Sequence, residues 1–224
     1  MPQNKNKKQS FRKVKHRVKT AKGRKTSSTN WIQRHINDEY VMRAKAEGFR
    51  SRAAFKLLQI IEKFDIINNN TNSVLDLGCA PGSWLQVLAQ KSIPNLFGID
   101  LQDTEHIPNT KILKGDFLDP NIQDQCRKFV DKFDVILSDM AAKACGTPSV
   151  DHLRLMELAE TVFEFAKENL ETGGHLVVKI LRGEEEHRFM KLLNTHFKKV
   201  KYFKPDASYK DSAEIYVIAE MFKG

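Results

Sequence analysis

The chain has 224 residues and a formal charge of +9, a length that one α/β domain can fill around a single core. No run of about 18 apolar residues occurs and the N-terminus lacks an apolar stretch, which argues against a membrane span and a secretory signal. Cys79, Cys126 and Cys145 are far apart with no Cys-x-x-Cys pair, so neither a disulfide framework nor a metal site is expected.

The basicity is local. Twelve of the 37 Lys and Arg residues fall in residues 1–37, before the first acidic residue, Asp38; the remainder carries 25 basic against 28 acidic residues, a net of −3. Residues 1–30 therefore read as a disordered, RNA-binding tail, since such a run has too little apolar surface to fold and attracts polyanions. A tail that only aids solubility is the competing reading. Residues 31–224 read as one domain. A cytoplasmic location is expected, with a mitochondrial leader as the alternative, weakened by the dominance of lysine over arginine.

In chain order, Thr26–Asn30 reads as a linker. A helix follows with Ser51 as its N-cap and Phe55, Leu58, Ile61 and Ile60 as its buried stripe. Lys56 on that helix would ordinarily be an exposed residue with a snorkelling stem. Asn68–Asn70 is a loop. Val74–Leu77 then forms a buried strand, Gly78–Gly82 a turn, and Trp84, Leu85, Val87 and Leu88 the apolar face of a helix, the first β-turn-α unit of a doubly wound sheet. A dinucleotide site would show Gly-x-Gly at the turn; this one has Gly-x-x-x-Gly with a proline inside. Asp100, ending the next apolar run about 20 residues on, is placed to accept from a ribose diol. A nucleoside without phosphates satisfies both features.

Lys111–Phe117 reads as a third strand. Asp116 in its final turn either faces an adenine edge or is a turn residue. After a helix over 120–130, Phe133–Met140 delivers Asp139 at a strand's carboxyl end, the edge where open α/β sheets bind ligands. Residues 142–148 read as a substrate lid. A long helix starts near Ser149, with Leu155, Leu158, Ala159, Val162, Phe163 and Ala166 inward and Gly173-Gly174 as its terminator. In the strand His175–Leu181, Lys179 interrupts an apolar run, which demands carboxylate partners or a shifted pKa. Gly183 opens a helix through Glu184, Glu185, Glu186 and His187, an acidic first turn that suits the helix dipole better than a metal. Val200–Phe203 and Ala213–Ala219 are two antiparallel runs, with Glu214 at the entry of the second, where a glutamate normally faces solvent.

The segment "DLGCAPG" resembles the first motif of the class I S-adenosylmethionine-dependent methyltransferases. Lys56 in "SRAAFKL", Asp139 in "LSDMA", Lys179 in "VVKIL" and Glu214 in "SAEIYVIA" resemble, in order and spacing, the Lys-Asp-Lys-Glu tetrad of the FtsJ type of ribosomal RNA ribose 2'-O-methyltransferases. The likeness spans nearly all of residues 38–222, including "GTPSVD" and "KPDAS". It implies a Rossmann-like α/β fold with a mostly parallel seven-stranded sheet, helices on both faces and an antiparallel last strand. It further implies S-adenosyl-L-methionine as cofactor, held at Gly82, Trp84, Asp100, Asp116 and Asp139, with Lys179 as proton acceptor and a uridine of large-subunit rRNA or the assembled subunit as substrate.

Local sequence agrees on the chemistry. Ser138-Asp139-Met140-Ala141 lacks both the Asp/Asn-Pro-Pro-aromatic turn of exocyclic amine methylation and a Pro-Cys nucleophile, so oxygen is the expected acceptor. Arg43, Arg50, Arg52, Lys56, Lys201, Lys204 and Lys210 are candidates for a phosphate-binding groove beside the catalytic edge. A monomer is expected. A tRNA ribose methyltransferase of the same fold, and a non-catalytic RNA-binding assembly factor, remain as alternatives.

Overall fold

The structure, a computed structural model, describes residues 17, 23, 26–142, 145–183 and 185–224, except the side chain at 27. Most of the basic tail, Glu184, and residues 143 and 144 of the expected lid lie outside the described residues.

Seven strands form one sheet: β1 (Ser73–Leu77), β2 (Asn95–Asp100), β3 (Thr110–Lys114), β4 (Phe133–Ser138), β5 (Leu170–Leu181), β6 (Phe197–Phe203) and β7 (Glu214–Phe222). Their spatial order is β3-β2-β1-β4-β5-β7-β6. Neighbours from β3 to β5 pair in parallel, and β7 runs antiparallel to both β5 and β6. The central strands are continuous apolar runs because helices cover both faces. Seven helices are described: α1 (Thr26–Ile36), α2 (Glu39–Glu47), α3 (Ala53–Lys63), α4 (Ser83–Ala89), α5 (Pro120–Arg127), α6 (Pro148–Asn169) and α7 (Glu186–His196). On one face Leu57, Ile60, Leu85 and Leu88 of α3 and α4 pack on Val74, Val135 and Tyr216. On the other, Phe163, Phe165, Phe189 and Leu193 of α6 and α7 pack with Leu75, Leu77 and Phe97. Each such side chain contributes about 1.5–3 kcal/mol by leaving water.

The reversed last strand follows from connection length. Parallel neighbours need a crossover of a dozen or more residues. The chain between Phe203 and Glu214 is shorter and contains no helix, so β7 returns beside β6. The return sets Glu214 opposite Leu181 and Tyr216 opposite Lys179, so the start of β7 meets the carboxyl ends of β1, β4 and β5.

Several boundaries differ from the sequence reading. Thr26–Asn30 is not a linker but the first part of α1; the helix is tied down through Arg34, which grips Asp211 at 3.2 and 2.6 Å, overriding the weak helix preference of Ser, Thr and Asn. α2 was unread, although its caps are explicit: the Asp38 carboxylate accepts from the Tyr40 and Val41 N–H groups, and Gly48 closes the helix at φ +78. Arg52 rather than Ser51 is the N-cap of α3; the Ser51 hydroxyl still accepts from Ala53 N–H. The buried residues of α3 are Ala54, Phe55, Leu57 and Ile60, while Leu58 and Ile61 are half-buried. α6 ends at Asn169, four residues before Gly173-Gly174, whose bend instead lies in the irregular start of β5. α7 begins at Glu186, not Gly183.

Candidate active site

The carboxyl ends of β4 and β5, the start of β7 and one turn of α3 meet at a single point. Asp139 leaves β4 with its N–H donated to Leu77 O at 3.1 Å. Lys179, 5 % exposed, places its ammonium 3.0 Å from Asp139 Oδ1 and donates to the Asp139 carbonyl at 2.7 Å. Lys56 reaches in from α3 to 3.7 Å from Asp139 Oδ2 and 3.9 Å from Glu214 Oε2. Glu214 Oε1 is 4.0 Å from Lys179 Nζ. All four residues of the expected tetrad therefore converge. Lys179, Tyr216 and Glu214 share one sheet face because Lys179 and Tyr216 are directly paired and Glu214 lies two residues from Tyr216.

Tyr216 is the residue the sequence reading missed. Its hydroxyl donates to Asp139 Oδ1 at 2.6 Å and accepts from Lys56 Nζ at 3.1 Å, joining the two halves of the cluster. Burial, the Asp139 charge and that hydrogen bond hold its phenol well above the ordinary range, so it stays a donor. For Asp139, burial alone would raise the carboxyl. The ammonium groups of Lys179 and Lys56 and the Tyr216 hydrogen bond outweigh it and hold the group below its usual value, so it remains a carboxylate.

A cavity of about 350 Å³ opens beside this cluster, lined by Gly78, Ala80, Asp100, Asp116, Phe117, Met140 and Leu158, with Asp139 at its rim. Among the described residues no Lys or Arg lines it, and three carboxylates do, which favours a cationic ligand over a pyrophosphate. Asp100 accepts from Ala80 N–H at 2.9 Å and from Gln102 N–H at 2.8 Å, pinning the glycine loop to β2. Asp116 lines the cavity and also accepts from Leu118 N–H at 3.0 Å, so it is a turn residue that also borders the cavity. Gly82 and Trp84 lie off the cavity wall. Gly82 caps α4 at φ +103; Trp84 is buried, donates its indole N–H to Ala53 O at 2.8 Å, and packs its ring on Tyr216. Burial pushes the Cys79 thiol up to about 12, which removes it as a nucleophile.

Asp76, beneath the loop, is 1 % exposed and neither carboxyl oxygen has a partner among the described residues. Burial first, then the charges of Asp139 and Asp100, raises its pKa well above the usual value. A carboxyl raised on folding stabilises the fold fully below its unfolded value near 4 and loses that contribution as pH rises through its folded value. Asp76→Asn, neutral throughout, is expected to match the wild-type melting temperature near pH 4 and exceed it increasingly towards pH 8. A difference that stays flat with pH in calorimetric melts would contradict this assignment.

Besides Lys56, four of the seven cations expected in a basic groove have partners within the fold. Arg50 donates to Pro81 O, Glu105 O and His106 O at 2.8, 2.9 and 3.1 Å, clamping the glycine loop to the 105–106 segment. Arg52 is paired with Asp38 and Ala207 O and lies over the Tyr209 ring. Arg43 pairs with Glu47, and Lys204 donates to Lys210 O and Ser212 O. Arg50, Arg52 and Lys204 thus hold loops together, while Arg43 pairs within α2.

A mostly parallel seven-stranded sheet with one reversed last strand, and an acidic nucleoside-sized cavity at the carboxyl edge, define a class I methyltransferase fold. The description "FtsJ-like methyltransferase" matches residues 49–222. The chain is 48 % identical to Ribosomal RNA large subunit methyltransferase E of Sphingopyxis alaskensis over 93 % of this chain and 91 % of that protein. It is 45 % identical to the protein of the same name from Anaplasma phagocytophilum, over 93 % and 86 %. A crystal structure of a ribosomal RNA methyltransferase from Plasmodium falciparum superposes with a TM-score of 0.71 at 31 % identity, covering 79 % of this chain and all of the other. The protein belongs to the FtsJ-like methyltransferase family.

Proposed function

We propose that the protein transfers the methyl group of S-adenosyl-L-methionine to a ribose 2'-hydroxyl of RNA, a uridine of large-subunit rRNA, in the cytoplasm during ribosome assembly, acting as a monomer. The observation that carries the reading is the meeting of Lys56, Asp139, Lys179, Glu214 and Tyr216 at the rim of an acidic cavity. The cavity suits the cofactor by charge, because the carboxyl groups of Asp100, Asp116 and Asp139 border a space that must hold a sulfonium and an ammonium. Asp100 and Asp116 would take the ribose and adenine ends, Asp139 the end nearest the chemistry, and the loop shaped by Gly82 and Trp84 the remainder. When bound, the cofactor supplies an electrophilic methyl group.

The chain's own residues deal with the acceptor. A ribose hydroxyl is a poor acid, so in-line positioning and removal of its proton dominate the barrier. Lys179 takes that proton; Asp139 and Tyr216 fix where its nitrogen sits. Lys56, held between Asp139 and Glu214, orients the hydroxyl or the neighbouring phosphate. The relatives named for large-subunit ribosomal RNA support the rRNA substrate, and residues 1–30 would add salt-sensitive affinity.

Labelled-methyl transfer to tRNA, naked large-subunit rRNA and assembled large subunits, followed by mapping, tests this. Label on one 2'-O-methyluridine of the large-subunit RNA is the expected result. Label in tRNA alone, or no transfer from a bound cofactor to any of the three, overturns it.

A further inference from the structure

Trp31 stands outside everything assigned so far. It is 60 % exposed, and its ring lies flat on His35, one helical turn away, at 5.1 Å and 9°. The pair forms a two-ring aromatic surface with solvent on its outer side. The rest of α1 is held down. Arg34 grips Asp211 through two hydrogen bonds and lies 5.2 Å over the Tyr209 ring. The segment that carries Asp211 is fixed to α3 in turn, since Arg52 donates to Ala207 O and Ala207 N–H donates to Gln59 Oε1. Glu214 is three residues beyond Asp211, at most about 11 Å of extended chain. The aromatic surface is thus presented from a helix anchored beside the catalytic edge.

The sequence leading into it is basic. Helix α1 contains Arg34 and His35 and no acidic residue, and residues 1–25 before it carry eleven Lys or Arg and no Asp or Glu. An exposed indole next in sequence to a run rich in Lys and Arg matches the stacking platforms that take bases of single-stranded RNA, where the π-face holds the base and cations follow the phosphates. A protein partner would gain nothing from that charge unless it were acidic.

We propose that Trp31, backed by His35, is a stacking platform for an unpaired base of the RNA substrate, a short distance along the strand from the ribose at Lys179. The proposal rests on the RNA-methyltransferase reading above and adds a contact to it. Trp31 is a positioning residue, acting on where the strand lies and not on the reacting atoms.

The chain has two tryptophans, Trp31 and the buried Trp84, so fluorescence separates them. Titrating the full-length protein with a single-stranded oligouridine is expected to quench the exposed indole. Trp31→Phe, which keeps a stacking ring, should bind within a few-fold of wild type and lose the quench. Trp31→Ala should bind about 5- to 150-fold more weakly and raise KM for large-subunit rRNA with kcat unchanged. Equal melting temperatures of the two variants would show that the loss belongs to the ring and not to the fold. Unchanged oligouridine affinity in Trp31→Ala, or a quench that persists in Trp31→Phe, overturns the platform while leaving methyl transfer intact. A loss confined to assembled subunits, with naked RNA unaffected, also overturns it by pointing to a protein contact. Absence of RNA binding and RNA methylation by the wild type removes the underlying reading as well.

Discussion

Lys179→Arg is expected to keep the fold and bind S-adenosylmethionine within a few-fold of wild type, yet lose methyl transfer by about 10²- to 10⁴-fold, the range of a general base. The argument turns on what arginine preserves. Its guanidinium retains the positive charge beside Asp139, so the carboxylate 3.0 Å away is not left unpaired in the interior. It cannot shed a proton at accessible pH. The companion variant, Lys179→Met, removes the charge as well. Breaking a buried pair costs about 3–5 kcal/mol when the partner is abandoned, but Asp139 still has the Tyr216 hydroxyl at 2.6 Å and Lys56 at 3.7 Å, so a smaller loss is expected. Both variants should be inactive, and only Lys179→Met should melt early. Turnover by Lys179→Arg within tenfold of wild type would refute the base assignment and leave Lys179 an orienting cation.

The second large effect is predicted at Gly78. Its φ is +80, and a Cβ built there would lie 2.8 Å from both the N and the Cα of Met140. Backbone cannot yield as a flexible side chain can. Left-handed backbone costs a non-glycine residue about 1–3 kcal/mol, and relieving the overlap requires β1 and β4 to part at the cavity wall, for a further 1–3 kcal/mol typical of overpacking. Gly78→Ala is therefore expected to lower the melting temperature by about 4–24 °C, at 2–4 °C per kcal/mol for a chain of this size. Cofactor affinity should fall with it, because Gly78, Met140 and Asp139 all belong to the cavity. Calorimetry of melting and of cofactor binding checks both; a variant that melts within about 2 °C of wild type and binds normally would show the wall to be pliant.

What could be read beforehand, and what could not, follows from how each residue is solvated. Strands buried on both faces announce themselves as apolar runs, so β1, β4 and β5 were visible, along with the carboxylates at the ends of β2 and β4. Lys179 was visible because an ammonium inside such a run is an energetic anomaly. Tyr216 was not, because a tyrosine in Ile-Tyr-Val-Ile looks like ordinary core, and its hydroxyl matters only once Asp139 arrives from a strand 77 residues away. The loop-bracing role of Arg50 and Arg52 was hidden for a related reason. Their charge is evident in sequence, but the carbonyls of Pro81, Glu105 and Ala207 that consume their hydrogen bonds come from remote loops. Gly173-Gly174 misled because glycine marks a bend without saying whether a helix or a strand is bending.

The reversal of β7 carries a consequence for the order in which the protein is made. Every described residue lining the cavity lies between Gly78 and Leu158, whereas the cluster beside it waits for Lys179, Glu214 and Tyr216. A chain still emerging from the ribosome therefore has these cavity residues before it has the residues that complete the cluster. On the proposed roles, a product truncated between α6 and β7 is expected to transfer no methyl group.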